Sequence, residues 1–334
     1  MIERGKPSAK LRLVIVKGKV HKEKFGEPYE PRDLFMLWGI LQLLRFYPGK
    51  LPKLDLLFFT GDKTRIKKTD YQGSNATSPP PLFHYCGEEE ALNIVFLDWT
   101  FWGWAEVNIM PCEHMLSAIK NGNKRIKWED RIPYAYWKGN PYNSLERKDL
   151  RKCNFSNKYE WNVRLYIQNW TKANEEGYKI YVEGVTWSGS EKYILACDSM
   201  ILMITPRYYD FFSRSMVPMQ YYWPIRNTSK CRDLKFAVEW DNNHPDKAIG
   251  KAGSELIEEF LTIRNIYDYM VCLETAACSR EGLWREYLEQ SMVKSPSDKL
   301  PCTLPSPYEP QALQASLDQM EKITTQVEEW QTEY

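Results

Sequence analysis

The sequence contains few of the short signatures that mark common enzyme chemistries. It has no G-x-G-x-x-G turn and no Walker loop, so the standard dinucleotide and nucleoside-triphosphate cradles are not indicated. It has no H-E-x-x-H and no G-x-S-x-G, which sets aside zincin proteases and elbow-type serine hydrolases. Histidine is scarce. His21, His84, His114 and His244 are the only four, and none lies near a nucleophile-like motif. Each reads as a surface or hydrogen-bonded histidine rather than a catalytic one. No C-x-x-C occurs among the eight cysteines, and the closest pair is Cys272 and Cys278. A zinc ribbon or a redox motif is therefore not supported, and the cysteine density is far below that of a disulfide scaffold. No Asp-x-Asp occurs either; Glu239-Trp-Asp241 is the nearest acidic pair. A site gripping a diphosphate through a divalent metal would want such oxygen ligands close together, so metal-free binding is expected.

Long apolar runs are also missing. Residues 34–44 are the best candidate, but Gln42 interrupts them and Arg45 follows. They read as a buried helix, not a membrane span. The first ten residues carry Glu3, Arg4, Lys6 and Lys10 without an apolar centre, so they do not read as a signal peptide. Charge of one sign is absent: 45 Lys and Arg face 44 Asp and Glu, a net charge of +1. That balance argues against a nucleic-acid partner held mainly by electrostatics.

What is present points to a large folded chain. Its 334 residues, 43% of them apolar, suffice for one large domain or two medium ones. Thirteen Trp and 21 Tyr are amphipathic rings of the kind that stack on sugars and bases. Four Asn-x-Ser/Thr sequons, at Asn75, Asn154, Asn169 and Asn227, point to secretory-pathway ancestry despite the missing signal peptide.

Hydrophobic periodicity predicts short strands at residues 11–20, 54–59, 94–96, 132–137, 179–183, 200–205 and 221–225. Helices are predicted over 33–45 with Asp33 as cap, over 111–120, from about 146 behind Asn143 or Ser144, over 190–197 and over 244–265. Residues 72–81 read as a loop. Proline-rich residues 294–309 read as a linker, and 311–334 as a polar helical tail. Strand–loop–helix units at this spacing imply an α/β fold with mainly parallel sheets. Polar residues gather where strands should end: at Asp62, at Lys138-Gly-Asn140 and along Gly184–Ser190. Ligands in such sheets bind beyond the carboxyl ends of the strands. In the last segment Gly184, Ser188, Gly189 and Ser190 precede a predicted helix, and Lys192 falls in its first turn. Backbone N–H groups and a cation at a helix start suit a phosphate, although Ser188 or Ser190 as a plain helix cap fits the spacing as well.

Three blocks carry a resemblance. They are Asp98-Trp-Thr-Phe-Trp-Gly-Trp-Ala-Glu-Val-Asn108, Arg131-Ile-Pro-Tyr-Ala-Tyr-Trp-Lys-Gly-Asn-Pro141 and the stretch from Tyr178 to Ser199. Tyr208-Tyr-Asp-Phe-Phe-Ser-Arg-Ser-Met-Val-Pro218, Tyr222-Trp-Pro-Ile225 and residues 33–45 extend it. Over about residues 1–270 the sequence resembles the Rumi-like protein O-glucosyltransferases of glycosyltransferase family 90, and most of all their plant branch. The resemblance implies a GT-B fold of two Rossmann-like domains facing a cleft. It places an acceptor-side domain at 1–135, a donor-binding domain at 136–293 and the linker and tail at 294–334.

The resemblance also implies the chemistry. Glucose or xylose moves from a UDP-sugar to a hydroxyl of a protein Ser/Thr or a glycan, with inversion and without metal or cofactor. Asp62, in Asp55-Leu-Leu-Phe-Phe-Thr-Gly-Asp62, matches the family's catalytic base, with Thr64 where a proline is usual and Phe59 where an earlier Asp is usual. Arg147, Lys138, Gly139, Gly184, Ser188 and Lys192 match donor-side positions, Arg147 being the one expected to face the diphosphate. Trp99, Phe101 and Trp102 match aromatics near the cleft. Relatives work in the endoplasmic reticulum or Golgi lumen. Against the family pattern the chain starts late, and coding segments are expected to be missing after Thr171 and after Met270. The alternative expectation is therefore an inactive remnant with residual sugar-nucleotide binding.

Overall fold

Leu11, Leu13 and Ile15 alternate along a strand that buries one face, and two residues suffice to turn it back. The turn residues Lys17 and Gly18 have φ of 51° and 71°, the left-handed pair that matches the twist of a hairpin. This gives β1 (Leu11–Val16) and β2 (Lys19–Lys24). The structure, a computed structural model, describes residues 1–27, 31–73, 77–105, 109–126, 130–156, 159–167, 176–244 and 248–277.

β3 (Leu54–Phe58) pairs antiparallel with β1. β4 (Leu82–His84) and β6 (Ile94–Val95) then add in parallel, giving the order β2-β1-β3-β4-β6. The two-residue β5 (Gly87–Glu88) lies apart from this sheet. Helix α1 (Ile2–Gly5) lies against one side of the sheet. Helix α2 (Arg32–Phe46) buries Phe35, Met36, Ile40 and Leu43 in a core with Leu13, Leu56, Phe58 and Phe83.

The second sheet is wholly parallel. Its strands are β7 (Ile132–Gly139), β8 (Val163–Ile167), β9 (Glu176–Tyr181), β10 (Met200–Ile204) and β12 (Trp223–Ile225), in the order β12-β10-β9-β7-β8. Along the chain β7 is followed by β8 on one side, and the chain then returns to build β9, β10 and β12 on the other. The order reverses between β7 and β9, and that reversal opens a crevice beyond their carboxyl ends.

Helices cover both faces. On one, α4 (Leu145–Leu150) and α6 (Lys230–Asn243) bring Leu150, Leu234, Ala237 and Val238 against Ile180, Leu202 and Ile204. On the other, α5 (Glu191–Leu195) and α7 (Ala248–Phe260) bring Leu195 and Ile257 against Tyr181, Ile201 and Met203. Helix α3 (Cys112–Arg125) stands between the sheets and contacts α5. Helix α8 (Ile263–Ala277) crosses back, burying Ile266, Tyr267 and Met270 in the first core. A short antiparallel pair joins the halves directly: β11 (Tyr208–Tyr209) lies along β5. The fold is α/β, with parallel strands dominating.

Several elements differ from expectation. The helix expected over 244–265 is two helices, α7 and α8, parted at Leu261 and Thr262, while α6 was not anticipated. Its signal is the buried set Leu234, Ala237, Val238 and Asp241, spaced as one helical face. Helix α5 has only five residues, because Asp198 takes a left-handed φ of 44° just beyond it. Asp33 does not cap α2. It sits in the first turn and pairs with Lys24 at 2.7 Å. The linker and tail expected at 294–334 lie outside the described residues.

Cys153 and Cys231 form a disulfide across 78 residues, tying the end of the α4 segment to α6. Cross-linking a loop of that length is worth about 4 kcal/mol in the chain-entropy account. Cys231→Ser is expected to lower the unfolding free energy by that order and to steepen the denaturant slope, because the freed unfolded chain exposes more surface, as read by urea titration followed by far-UV circular dichroism.

Candidate functional site

The crevice between β7 and β9 is spanned by one side chain. Ser144 caps α4 by accepting from the Arg147 N–H at 3.2 Å, and this helix start carries Arg147 over the strand ends. Its Nε–H donates to the Glu183 carbonyl at 3.0 Å and its Nη2 to the Val182 carbonyl at 3.2 Å, both just after β9. Nη1 donates to the Asn140 carbonyl, just after β7, at 3.5 Å. A Cβ on Gly184 would stand 3.4 Å from Nη2, so the guanidinium lies against bare backbone there. Burial makes the arginine less basic than usual. A guanidinium has five N–H donors and three are engaged here, which leaves two for an anion.

Lys138 and Gly139 close β7 just before Asn140, and partial burial lowers the Lys138 pKa. The structure thus sets Arg147 against Gly184 and against the residue that follows Gly139, three of the positions singled out in the sequence, while no contact joins Lys138 to the arginine among those described. They sit at the topological reversal of a parallel sheet, where such sheets bind ligands.

Ser188 and Lys192 belong to a neighbouring group. The Ser188 N–H donates to the Tyr181 hydroxyl at 3.3 Å, and its own hydroxyl is 2.8 Å from that of Ser190. Lys192 is fully buried. Its ammonium donates to the Gly189 carbonyl at 3.0 Å and to the Thr100 hydroxyl, 3.9 Å from Asp98 Oδ1. Asp98 accepts from the Thr100 N–H at 2.9 Å and from the Trp187 indole at 2.8 Å. Gly189 permits this approach, since a Cβ there would lie 2.9 Å from the Thr100 methyl. Lys192 therefore positions the Gly184–Ser190 turn rather than facing a ligand. The helix behind the turn is too short to supply much dipole.

Asp62 follows β3 on the first sheet. Its carboxylate accepts from Arg32 Nη1 at 2.8 Å and stays 36% exposed, open enough to meet a substrate hydroxyl. His84 supports the loop from below. Its Nε2 lies 2.8 Å from the Gly61 carbonyl oxygen and its Nδ1 2.9 Å from the Cys86 carbonyl oxygen, so the ring bridges the two loops. Burial lowers its pKa against the pull of those two carbonyls.

Arg32 stacks on Trp99 at 4.0 Å, and Trp99 meets Trp187 edge-on at 5.7 Å. Trp99 thus keeps a place beside Asp62. Phe101 and Trp102 do not line the cleft as expected. Both are core side chains, and the Trp102 indole donates inward to the Tyr267 hydroxyl at 3.1 Å. Their aromatic character serves packing, and the motif that carries them gave no sign of which rings face inward.

A second chain of bonds links the Asp62 loop to Arg147. Thr64 donates to Glu88, which accepts from Arg207 Nε at 2.7 Å. The Arg207 and Tyr208 N–H groups donate to Glu183 at 2.9 and 3.0 Å, and the Glu183 carbonyl holds Arg147. None of Arg32, Asp98, Glu88, Glu183 or Arg207 was singled out as a site residue. Glu183 and Asp98 had a usable signal, as polar residues at or just past the carboxyl ends of the strands predicted over 179–183 and 94–96.

The architecture and the crevice define an α/β protein with a candidate anion-binding site at parallel strand ends. Residues 1–273, and again 270–331, match the model of glycosyl transferase family 90, so the chain belongs to that family. It is 23% identical over 309 residues to protein O-glucosyltransferase 2 of Danio rerio, covering 87% of this chain and 57% of that protein. It is 23% identical over 245 residues to an O-glucosyltransferase rumi homolog of Aedes aegypti, covering 66% and 60%. It is 24% identical over 287 residues to human protein O-glucosyltransferase 3, covering 80% and 54%. The chain spans a little over half the length of these curated relatives. Among the described residues no helix is long and apolar enough to cross a membrane.

Behind the turn lies a buried acidic pair. Glu191 and Asp210 share the Ser213 hydroxyl, at 3.2 and 3.0 Å. Burial pushes the Glu191 carboxyl well up and Asp210 up to about 6. A carboxyl raised in the folded state stabilises fully below its unfolded pKa near 4, and this contribution is lost as pH rises through about 6. Asp210→Asn, which keeps an oxygen for the Phe212 and Ser213 N–H groups, is therefore expected to raise Tm at about pH 8 and to leave it nearly unchanged at about pH 4, read by differential scanning calorimetry.

Proposed function

We propose that the chain is an inverting O-glycosyltransferase that moves glucose or xylose from a UDP-sugar to a hydroxyl of a protein Ser/Thr or a glycan, without a metal. The observation that carries this reading is Arg147 straddling the β7–β9 reversal with donors left for a diphosphate. Lys138, Gly139 and Gly184 form the donor-side wall, and Ser188 and Lys192 shape the adjoining turn. Residues 1–135 make the acceptor side, 136–293 the donor side with α8 returning onto the acceptor-side core, and 294–334 a linker and tail, as in a GT-B arrangement. The relatives named as O-glucosyltransferases support the class of reaction.

In this reading Asp62 takes the proton of the acceptor hydroxyl. The oxygen attacks the anomeric carbon from the face opposite the diphosphate. The bond from that carbon to the phosphate oxygen breaks, and UDP leaves with its charge held at Arg147. Arg32 orients Asp62 through the bond at 2.8 Å, and Trp99 backs Arg32. We place the protein in the lumen of the secretory pathway, where a disulfide such as Cys153–Cys231 persists.

Asp62→Asn keeps an acceptor oxygen for Arg32 but removes the base. It is expected to cut transfer from UDP-glucose or UDP-xylose by about 10²–10⁴-fold with UDP affinity unchanged. Full activity in the variant would overturn the role of Asp62. A folded wild-type chain that binds UDP but never transfers sugar would favour the inactive remnant instead.

A further inference from the structure

The four sequons take no part in the transfer chemistry, and one of them is built into an exposed edge. Asn154 follows Cys153 of the disulfide and lies beside β8, the outer strand of the second sheet. Its carboxamide oxygen accepts from the Leu165 N–H of β8 at 2.9 Å, and the next residue's N–H donates to the Val163 carbonyl at 3.0 Å. The segment thus lies along the outer edge of β8, bonded to its Leu165 N–H and Val163 carbonyl, and fixes which end of the Asn154 amide faces the protein. The oxygen points in. Asn154, Phe155 and Ser156 are all exposed, and Phe155 shows 51% of its surface. At Asn227 the amide nitrogen already donates to the Thr205 carbonyl at 3.1 Å, so the inference is confined to Asn154.

We propose that Asn154 is an attachment site for an N-linked oligosaccharide. The donor class is an oligosaccharide on a polyprenyl diphosphate, transferred by an enzyme of the secretory pathway. The Asn154 Nδ2 forms a bond to the first sugar's anomeric carbon and gives up one proton. The bond from that carbon to the diphosphate breaks, and the diphosphate leaves with its lipid. The Asn154–Leu165 bond survives the reaction, because it uses the oxygen and not the nitrogen. A glycan here stands over the rim of an edge strand, the part of a sheet most open to pairing with another chain. The proposal rests on the lumenal placement given above.

The test is to pass the full chain, with an added secretion leader, through a eukaryotic secretory pathway and to map glycopeptides before and after peptide N-glycosidase. The expected result is an enzyme-sensitive glycan on the Asn154 peptide, absent from Asn154→Asp and Ser156→Ala and retained in Ser156→Thr. Asn154→Asp keeps an acceptor for the Leu165 N–H, so loss of the glycan there does not reflect a lost fold. An unmodified Asn154 peptide in secreted, folded protein overturns the proposal. Assaying the same material for sugar transfer separates the two readings. Transfer without a glycan at Asn154 sinks only the attachment site, and a glycan without transfer leaves it standing.

Discussion

The buried ammonium of Lys192 is the interaction on which the rest of the structure turns. It comes from the second sheet's side, from α5, and ends among Thr100 and Asp98 of the first. A buried cation costs several kcal/mol in desolvation unless it is paired and hydrogen-bonded. Here the Gly189 carbonyl, the Thr100 hydroxyl and the nearby Asp98 carboxylate offset that cost. The arrangement specifies one position for the Gly184–Ser190 turn relative to the Asp98–Trp102 segment. Asp98 spreads the constraint further, because it also fixes Trp187, which packs on Trp99 beneath Arg32. The partner of Asp62 is thereby set by a lysine on the opposite sheet's side.

Arg147 solves a different problem. Parallel strands that reverse order leave a crevice whose rim is made of backbone carbonyls and N–H groups. A guanidinium laid across carbonyls from both strands satisfies part of its fork and holds the rest toward the opening. The Glu183–Arg207–Glu88–Thr64 relay ties this arginine to the Asp62 loop, and the β5–β11 pair runs alongside it. Two routes, one through Lys192 and one through Glu88, thus connect the two sheets across the candidate site.

Much of this was legible in the sequence. Strand ends were marked by Asp62, Lys138-Gly-Asn140 and Gly184, because polar and glycine residues interrupt apolar runs where a parallel strand must stop. The α/β class followed from the same punctuation. Helix α6 was missed because its apolar face is sparse and its surface residues are charged. Phe101 and Trp102 were misplaced because an aromatic cluster has no periodicity to say which ring turns inward. Arg32 was invisible for another reason. Thirty residues separate it from Asp62, and only the pairing of β1 with β3 and the packing of α2 bring them together. Long-range ion pairs of this kind leave no local trace in a single sequence.

The proposed donor site is tested most directly by titrating UDP into the full chain by calorimetry, in EDTA, beside Arg147→Met. The account predicts saturable binding that survives EDTA and weakens at least about tenfold in the variant, equivalent to about 1.4 kcal/mol. Equal UDP affinity in the variant, or no binding by a folded wild-type chain, would contradict it.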